Sequence, residues 1–230
     1  MPNRRVRALA LLCSVSLAAC GTGSGIVAVA GSGDAATVRF VNATGTVLDI
    51  ATSGVVRTSN ANISPGSGVG CFTLDDPTTP SLTVRQSGAT TDLSGFAPVF
   101  ARRGTYTLVA YPGASGFIQF LSLLTASTPA TTPATGRSAL RVVNGSTGLG
   151  PVDVHVTVSG AALGIPNATG IGFGGASAAF DVSAGTFQVR LTNSGTTTVV
   201  FDAGSQLLET GKSYTLVVSS ATAAILVPDC

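Results

Sequence analysis

The chain has 230 residues, of which 10% are charged, and its formal net charge is +2. Arg4, Arg5 and Arg7 lie in the first twenty residues, so the rest of the chain has nine basic and ten acidic residues and a net charge near −1. Nucleic-acid binding depends on a basic patch that neutralises phosphates, and this charge balance argues against it. It also disfavours an electrostatic attraction to anionic lipid headgroups.

The chain opens with an arginine-rich head and a short apolar run that ends in Leu17-Ala18-Ala19-Cys20-Gly21. The run is too short to span a bilayer, which needs ~20 apolar residues, and it is typical of a secretory signal. Its exit resembles a bacterial lipobox. That resemblance implies that Cys20 is alkylated with diacylglycerol and that the chain is cut before it; the alternative is an ordinary signal peptide with a chance cysteine. We predict a signal peptide over 1–19.

Residues 20–36 are small and nearly uncharged, which predicts a flexible tether between the membrane and the first domain. Gly21 stands where, by resemblance to enterobacterial sorting, an aspartate would retain the protein in the inner membrane. An outer-membrane location is therefore expected if the organism has an outer membrane.

Beyond the tether, Gly, Thr, Ser, Ala and Val dominate, and strong helix formers are nearly absent. Glu209 is the only glutamate and Lys212 the only lysine. Valine and threonine suit strands, and glycine, serine and proline suit turns. The composition predicts an all-β protein, and the 211 residues after the signal suffice for one large sandwich or two of ordinary size.

Four short blocks occur twice in the same order, at offsets of 102, 104, 105 and 108 residues. The first copy of each block is followed here by its second copy: 37–42 and 139–144, 47–50 and 151–154, 82–85 and 187–190, 104–109 and 211–217. A slowly drifting offset indicates a tandem duplication. We predict sandwich repeats over 37–124 and 138–230. A Pro/Thr-rich, semi-rigid linker is expected over 125–137, the alternative being a single sandwich that continues through it.

Alternating apolar and polar residues place about seven strands in each repeat. In the first repeat they are expected near 37–42, 47–52, 71–75, 81–86, 96–101, 105–111 and 117–124. In the second they are expected near 139–144, 151–158, 178–182, 186–192, 197–202, 213–219 and 223–227. This density fits two tandem immunoglobulin-like β-sandwich domains, in which the hydroxyls of Tyr106 and Tyr214 would bond back to a corner of the chain.

These blocks resemble a bacterial envelope family known as domain of unknown function 4397. The resemblance rests on Val38-Arg39-Phe40-Val41-Asn42 and its copy at 140–144, on 152–156, and on the closing segments 184–189 and 211–217. It implies secreted or lipid-anchored β-sandwich domains, often in tandem. The family brings no accepted activity, so the resemblance assigns no catalytic residue.

Few residues are candidates for chemistry. His155 is the only histidine, its counterpart in the first repeat is Ala51, and we interpret it as a partly exposed strand residue. Asp49 and Asp153 recur at equivalent positions. They are either polar anchors for a ligand or, the interpretation we favour, carboxylates that accept hydrogen bonds from backbone N–H groups at a strand edge or turn. Hydrolase chemistry needs a nucleophile and an orienting group beside a histidine, and no nucleophile-elbow sequence occurs.

No metal, cofactor or phosphate site is expected. Asp75 and Asp76 offer two adjacent carboxylates, whereas calcium takes six to eight oxygens, and no histidines and cysteines cluster as zinc requires. The glycine-rich segment 170–175 lacks the lysine of a Walker motif and is interpreted as an inter-strand loop. Tryptophan is absent and three tyrosines occur, so stacking platforms for sugars are poorly supplied.

Two cysteines remain after Cys13 is removed with the signal and Cys20 is acylated. Cys71 and Cys230 could form a disulfide that clamps the two repeats together, provided that their Cα atoms lie within about 4.4–6.8 Å. The alternatives are free thiols or a bridge between two molecules.

The sequence therefore predicts a lipid-anchored cell-envelope protein that acts as a non-enzymatic structural or binding module. Its expected partners are the membrane, through acylated Cys20, and another envelope protein or a surface glycan. Recognition of envelope polysaccharide or peptidoglycan is one alternative function, and hydrolysis of an envelope substrate is another.

Overall fold

A computed structural model describes residues 34–56, 60–78, 80–113, 117–126 and 132–230. The expected signal peptide, Cys20, most of the tether and the middle of the linker lie outside these residues. The described residues belong to one compact unit. Within them, no helix has the length and apolar character needed to cross a membrane.

Nine strands occur among the described residues of each repeat. The first repeat contains β1 (Ala36–Asn42), β2 (Leu48–Thr52), β3 (Val55–Val56), β4 (Ser67–Gly68), β5 (Phe72–Leu74), β6 (Leu82–Gln86), β7 (Asp92–Phe96), β8 (Thr105–Pro112) and β9 (Ile118–Ala126). The second contains β10 (Arg137–Asn144), β11 (Val152–Thr157), β12 (Ala168–Ile171), β13 (Gly175–Ala176), β14 (Phe180–Ser183), β15 (Gly185–Asn193), β16 (Val199–Leu208), β17 (Ser213–Ser220) and β18 (Ala223–Pro228). The all-β prediction is confirmed.

Both repeats have the same topology. In the first repeat, one sheet, which we call the inner sheet, has the order β4-β1-β8-β9, and β5 also pairs with β1. The other sheet, the outer sheet, has the order β3-β2-β6-β7. In the second, the inner sheet runs from β13 and β14 through β10 and β17 to β18, and the outer sheet is β12-β11-β15-β16. Strand β1 pairs in parallel with β8, and β10 pairs in parallel with β17. The prediction of two tandem sandwiches is confirmed.

Some expected strand positions are wrong. Strand β7 ends at Phe96 instead of beginning there, and Pro98, which has no N–H to donate to a ladder, lies in the following segment. Segment 170–175 is not wholly a loop, since Gly170 and Ile171 end β12 and Gly175 begins β13. Strands of two residues, such as β3 and β4, are too short to show a period.

Apolar side chains form three cores. The first lies between the two sheets of repeat one, where Phe40, Ile50 and Leu108 are buried, and the second lies between the two sheets of repeat two. The third takes buried residues from both inner sheets: Val41, Ala43, Val109, Tyr111, Val143, Val217 and Val227. We call it the shared core. Each inner sheet is therefore covered on both faces, one by its own repeat and one by the other repeat.

Candidate functional site

The shared core is the main feature that neither repeat contains by itself. Successive side chains of β8 point to opposite faces of the inner sheet, so Leu108 packs in the first core and Val109 packs in the shared core. Ala43 after β1 and Gly145 after β10 occupy equivalent positions in the two repeats and lie close to each other. A Cβ atom built on Gly145 would lie 3.4 Å from the Cβ of Ala43 and 3.1 Å from the carbonyl oxygen of Val218. The small residues after Asn42 and Asn144 thus let the two inner sheets approach.

Tyr111 makes the shared core asymmetric. Its side chain is 8% exposed, and its ring contacts the Phe173 ring edge to face, with centroids 5.5 Å apart. Gly174 has a φ of +72°, and a Cβ atom there would lie 2.8 Å from the Tyr111 hydroxyl oxygen. The register of the two parallel pairs places Ser219 at the equivalent position in β17. One tyrosine therefore binds the β12–β13 connection of repeat two to repeat one.

Asp229 is the acidic group of the interface. Its Oδ1 accepts hydrogen bonds from the hydroxyl of Thr215, at 2.9 Å, and from that of Thr107, at 3.5 Å. These two threonines are fully buried and come from equivalent positions in β17 and β8. Burial raises the pKa of the Asp229 carboxyl; hydrogen bonds from the threonines and the positive charges of Arg141 and Arg39 oppose this rise without cancelling it. One carboxylate thus joins both repeats.

Cys71 and Cys230 are joined by a disulfide, with their Cα atoms 5.9 Å apart. Cys71 directly precedes β5 of the first repeat, and Cys230 follows Asp229 of the second. The guanidinium of Arg39 donates one hydrogen bond to the carbonyl of Val69, at 2.9 Å, and another to the Sγ of Cys71, at 3.3 Å. The bridge crosses between the repeats beside the shared core.

Asp49 and Asp153 are buried at turns of the outer sheets. Asp49 accepts hydrogen bonds from the backbone N–H groups of Asn62, at 2.7 Å, and Gly88, at 3.2 Å. Asp153 accepts from the N–H groups of Gly170, at 2.7 Å, and Gly195, at 2.8 Å. Asp49 thus joins the segment at Asn62 to the turn at Gly88, and Asp153 joins β12 to the turn after β15, as the backbone-donor interpretation proposes.

These hydrogen bonds also favour the ionised carboxylates. For Asp49, burial raises the pKa, but the hydrogen bonds and the charge of Arg85 outweigh it, so the pKa lies below its ordinary value. For Asp153, the hydrogen bond from Gly195 is the largest cause and again lowers the pKa. Two low-pKa carboxylates enclosed by backbone donors are poor general acids.

Tyr106 and Tyr214 each reach back five residues. The Tyr106 hydroxyl accepts a hydrogen bond from the N–H of Ala101 at 2.7 Å. The Tyr214 hydroxyl accepts from the N–H of Glu209 at 3.3 Å and donates to that residue's carboxylate. The corner in each repeat is thereby fixed from the core side.

His155 is 4% exposed, so its interpretation as a partly exposed residue is wrong. Its Nδ1 lies 3.0 Å from the carbonyl oxygen of Gly164, and its Nε2 lies 3.4 Å from the hydroxyl of Thr192. The carbonyl only accepts, so Nδ1 is the donor of this hydrogen bond. The ten residues between β11 and β12 cover the ring, whereas β2 and β3 are joined by Ser53 and Gly54 alone.

No catalytic or metal constellation appears among the residues that the structure describes. The hydrogen-bond partners of the His155 ring are a carbonyl and a hydroxyl, not an orienting carboxylate. In the same residues, no three His, Cys, Asp or Glu side chains converge as a metal site would require. Asp75 and Asp76 line a polar cleft of about 250 Å³, where Asp76 caps a local turn through Thr78.

The sequence did not single out several residues with structural roles, some inside one repeat and some between the two. Arg39 and Asn42 stand in the first repeated block, so their recurrence was a usable signal; the Asn42 side chain donates to the carbonyl oxygens of Thr46 and Ile63, both at 2.8 Å. Tyr111 and Asp229 have no equivalent residue of the same type in the other repeat. Nothing in the sequence singles them out.

Comparison with solved structures finds similar chains. The chain is similar to the crystal structure of CBMbc (family CBM26) from Eubacterium rectale Amy13K in complex with maltoheptaose, with 12% identity, covering 84% of this chain and 96% of that chain. The TM-score of this comparison is 0.25. No curated protein sequence matches the chain.

A family model does match, and it covers the strands from β10 to the end of β18. The predicted resemblance is thus confirmed for the second repeat, which matches the family described as Domain of unknown function (DUF4397) over residues 138–228.

Proposed function

We propose that the chain is a lipid-anchored cell-envelope protein whose two repeats form one rigid, non-enzymatic structural or binding module. The observation that carries the module proposal is the shared core. Seven buried residues from both inner sheets form it, and a disulfide crosses the same boundary. Such a pairing holds the outer sheets at fixed positions, which suits a spacer or a presenting scaffold.

The recurring polar residues support a non-enzymatic role. Asp49 and Asp153 are enclosed by backbone donors, and Tyr106 and Tyr214 fix corners. The polar residues that recur in both repeats therefore have structural roles. This arrangement favours the module over the alternative of an envelope hydrolase.

The three tyrosines give no support to recognition of an envelope glycan. All three tyrosines are at most 8% exposed, so none offers a ring on which a sugar could stack. The partner we favour is another envelope protein that contacts a face of the rigid module.

The anchor rests on the lipobox, and one experiment tests it directly. The native chain and the Cys20→Ser variant are expressed with their own signal segment. Cell fractionation then locates each protein, and mass spectrometry measures its intact mass. The native chain is expected in the membrane fraction with added acyl mass, because two or more acyl chains hold a protein stably in a bilayer.

The Cys13→Ser variant is the matched control, since it removes a cysteine from the same leader without touching the lipobox. It is expected to behave like the native chain, whereas Cys20→Ser loses the acyl mass. Soluble and unmodified native chain would reject the anchor and leave the module proposal standing.

The module proposal has its own readout. Small-angle scattering of the chain from residue 20 onward, in its disulfide-bonded form, is expected to give one compact particle whose profile fits a single arrangement of the repeats. A profile that requires an ensemble of separated repeats would reject it.

A further inference from the structure

We propose that the Cys71–Cys230 disulfide is a site of thiol–disulfide exchange with a fixed direction: an incoming thiolate attacks Cys230, and Cys71 leaves as the thiolate. The reacting partner is a small-molecule thiol or the dithiol of an oxidoreductase. The proposal does not depend on the lipid anchor; it adds a reaction to the disulfide that joins the two repeats of the proposed module.

Access to the bridge is the first requirement. Both Cys71 and Cys230 are exposed residues. The bridge therefore lies at the rim of the boundary between the repeats, beside the shared core and not inside it. Exchange depends on such access as well as on thiolate character.

The direction of the exchange follows from the charges on the two sides. Arg39 places a guanidinium nitrogen 3.3 Å from the Sγ of Cys71, and the Val69 carbonyl fixes that guanidinium from its other nitrogen. A neighbouring cation stabilises a thiolate and so makes a better leaving group. Within the part of the chain that the structure describes, no comparable cation contacts the Sγ of Cys230.

The chemistry balances with two thiols. The first thiolate forms a bond to the Sγ of Cys230 as the Cys71–Cys230 bond breaks, and the electron pair stays on the Sγ of Cys71. A second thiolate attacks the sulfur of the first thiol in the mixed disulfide, and Cys230 leaves as a thiolate. The protein bridge is reduced, and the two external thiols are oxidised to their disulfide.

Reduction would open the disulfide between the repeats and leave the shared core in place. The shared core does not use the disulfide: Val109 and Val217 remain buried between the inner sheets. Asp229 would keep its hydrogen bonds with Thr215, Thr107 and the carbonyl of Ser213, and would lose only the covalent tether through Cys230. The reduced form keeps two apposed sandwiches whose joining carboxylate is no longer tethered through Cys230.

The test is to find which cysteine receives the thiol. The full chain, purified in its disulfide-bonded form, is treated briefly with limiting glutathione, quenched with N-ethylmaleimide and digested with trypsin. Cleavage after Arg57, Arg85 and Lys212 puts Cys71 in peptide 58–85 and Cys230 in peptide 213–230. We expect glutathione on Cys230 and maleimide on Cys71 in most singly opened molecules.

Arg39 and Arg141 give a matched pair of variants, because they occupy equivalent positions in β1 and β10. Arg141 donates to the carbonyl of Leu124 and makes no contact with the bridge. Arg39→Gln is expected to slow the opening by about three- to tenfold and to even out the two sites of attack. Arg141→Gln removes a charge near Asp229 but keeps the contact to Cys71, so it should change the rate and the site of attack less than Arg39→Gln does. Arg39→Lys should restore most of the rate.

Several results would overturn the proposal. Glutathione found mainly on Cys71, or equally on both cysteines of the unaltered chain, removes the direction. A bridge that resists millimolar glutathione in the folded chain but opens in urea removes the exchange itself. If Arg39→Gln does not fold, the site of attack in the unaltered chain decides the question.

Discussion

The two repeats share every sheet pairing but differ at the surface that joins them. Repeat one contributes Tyr111 and Cys71 to this surface, whereas repeat two contributes Asp229 and Cys230. By strand register, Ser219 occupies the position in repeat two that is equivalent to Tyr111, and Ala179 occupies the position equivalent to Cys71. Packing inside a repeat has been kept in both copies, while the residues between the repeats have become complementary.

The difference between the repeats shows which features the fold itself requires. Turn carboxylates, corner tyrosines and alternating apolar residues recur because each sandwich needs them to close. The clamp and the covering of His155 occur once, so neither is needed for a sandwich to form. Function specific to this chain is therefore best sought at the boundary between the repeats.

The largest expected effect tests whether the two repeats unfold together. Leu108→Ala and Leu216→Ala remove equivalent side chains, 0% and 1% exposed, from the first and second cores. Each should lower the free energy of unfolding by about 2–5 kcal/mol. Because the shared core couples the repeats, each variant should shift one common transition in urea. Leu207→Ala, at a position that is 59% exposed, is the control; separate transitions for the two repeats would contradict the coupling.

The next largest effect concerns the clamp. Replacing both Cys71 and Cys230 by serine should lower the free energy of unfolding by about 2–4 kcal/mol, because the bridge restricts the unfolded chain. Urea unfolding under oxidising conditions measures this loss. Ala179→Ser, at the position equivalent to Cys71, should have little effect. A double variant as stable as the native chain would mean that the bridge adds nothing to the shared core.

Asp153 provides an acid-dependent test. Asp153→Asn should cost about 1–3 kcal/mol near neutral pH, because it removes a charged acceptor from buried donors. The pKa of Asp153 is lowered in the folded chain, so its stabilisation is present above its unfolded pKa of about 3.9 and is lost as pH falls through the folded value. The variant should therefore show a flatter decline of stability below about pH 4.

Thermal unfolding at several pH values measures this effect. Asp181→Asn removes a surface carboxylate and is the control. An acid decline that is equally steep in the native chain and in Asp153→Asn would contradict the prediction. The same experiment on Asp49→Asn compares the two repeats directly.

The smallest effect compares the two corners. Tyr106→Phe leaves the Ala101 N–H without its acceptor and should cost about 1 kcal/mol. Tyr214→Phe should cost less, since the Glu209 N–H lies 3.3 Å from the hydroxyl rather than 2.7 Å. Equal stability of Tyr106→Phe and the native chain would show that the hydroxyl does not hold the corner.

Sequence periodicity predicted the long strands well, because each buries alternate side chains in one core. It failed at Phe100, which is buried from a segment outside any strand next to Pro98, and at strands of two residues. The recurrence of Asp49 and Asp153 singled out the turn carboxylates. It could not indicate the burial of His155, because the covering loop has no counterpart in the first repeat.

The sequence by itself determined an all-β chain of two similar sandwiches, because strand period and repeated blocks are local patterns. The tertiary structure alone decided that the inner sheets pack on each other, since both faces of an inner strand are apolar and a pattern of buried residues does not name their partner. It also decided that Asp229 joins Thr107 to Thr215 and that Arg39 lies beside Cys71. Those contacts link residues from 14 to 122 positions apart, and only the packing of complete sheets brings all of them together.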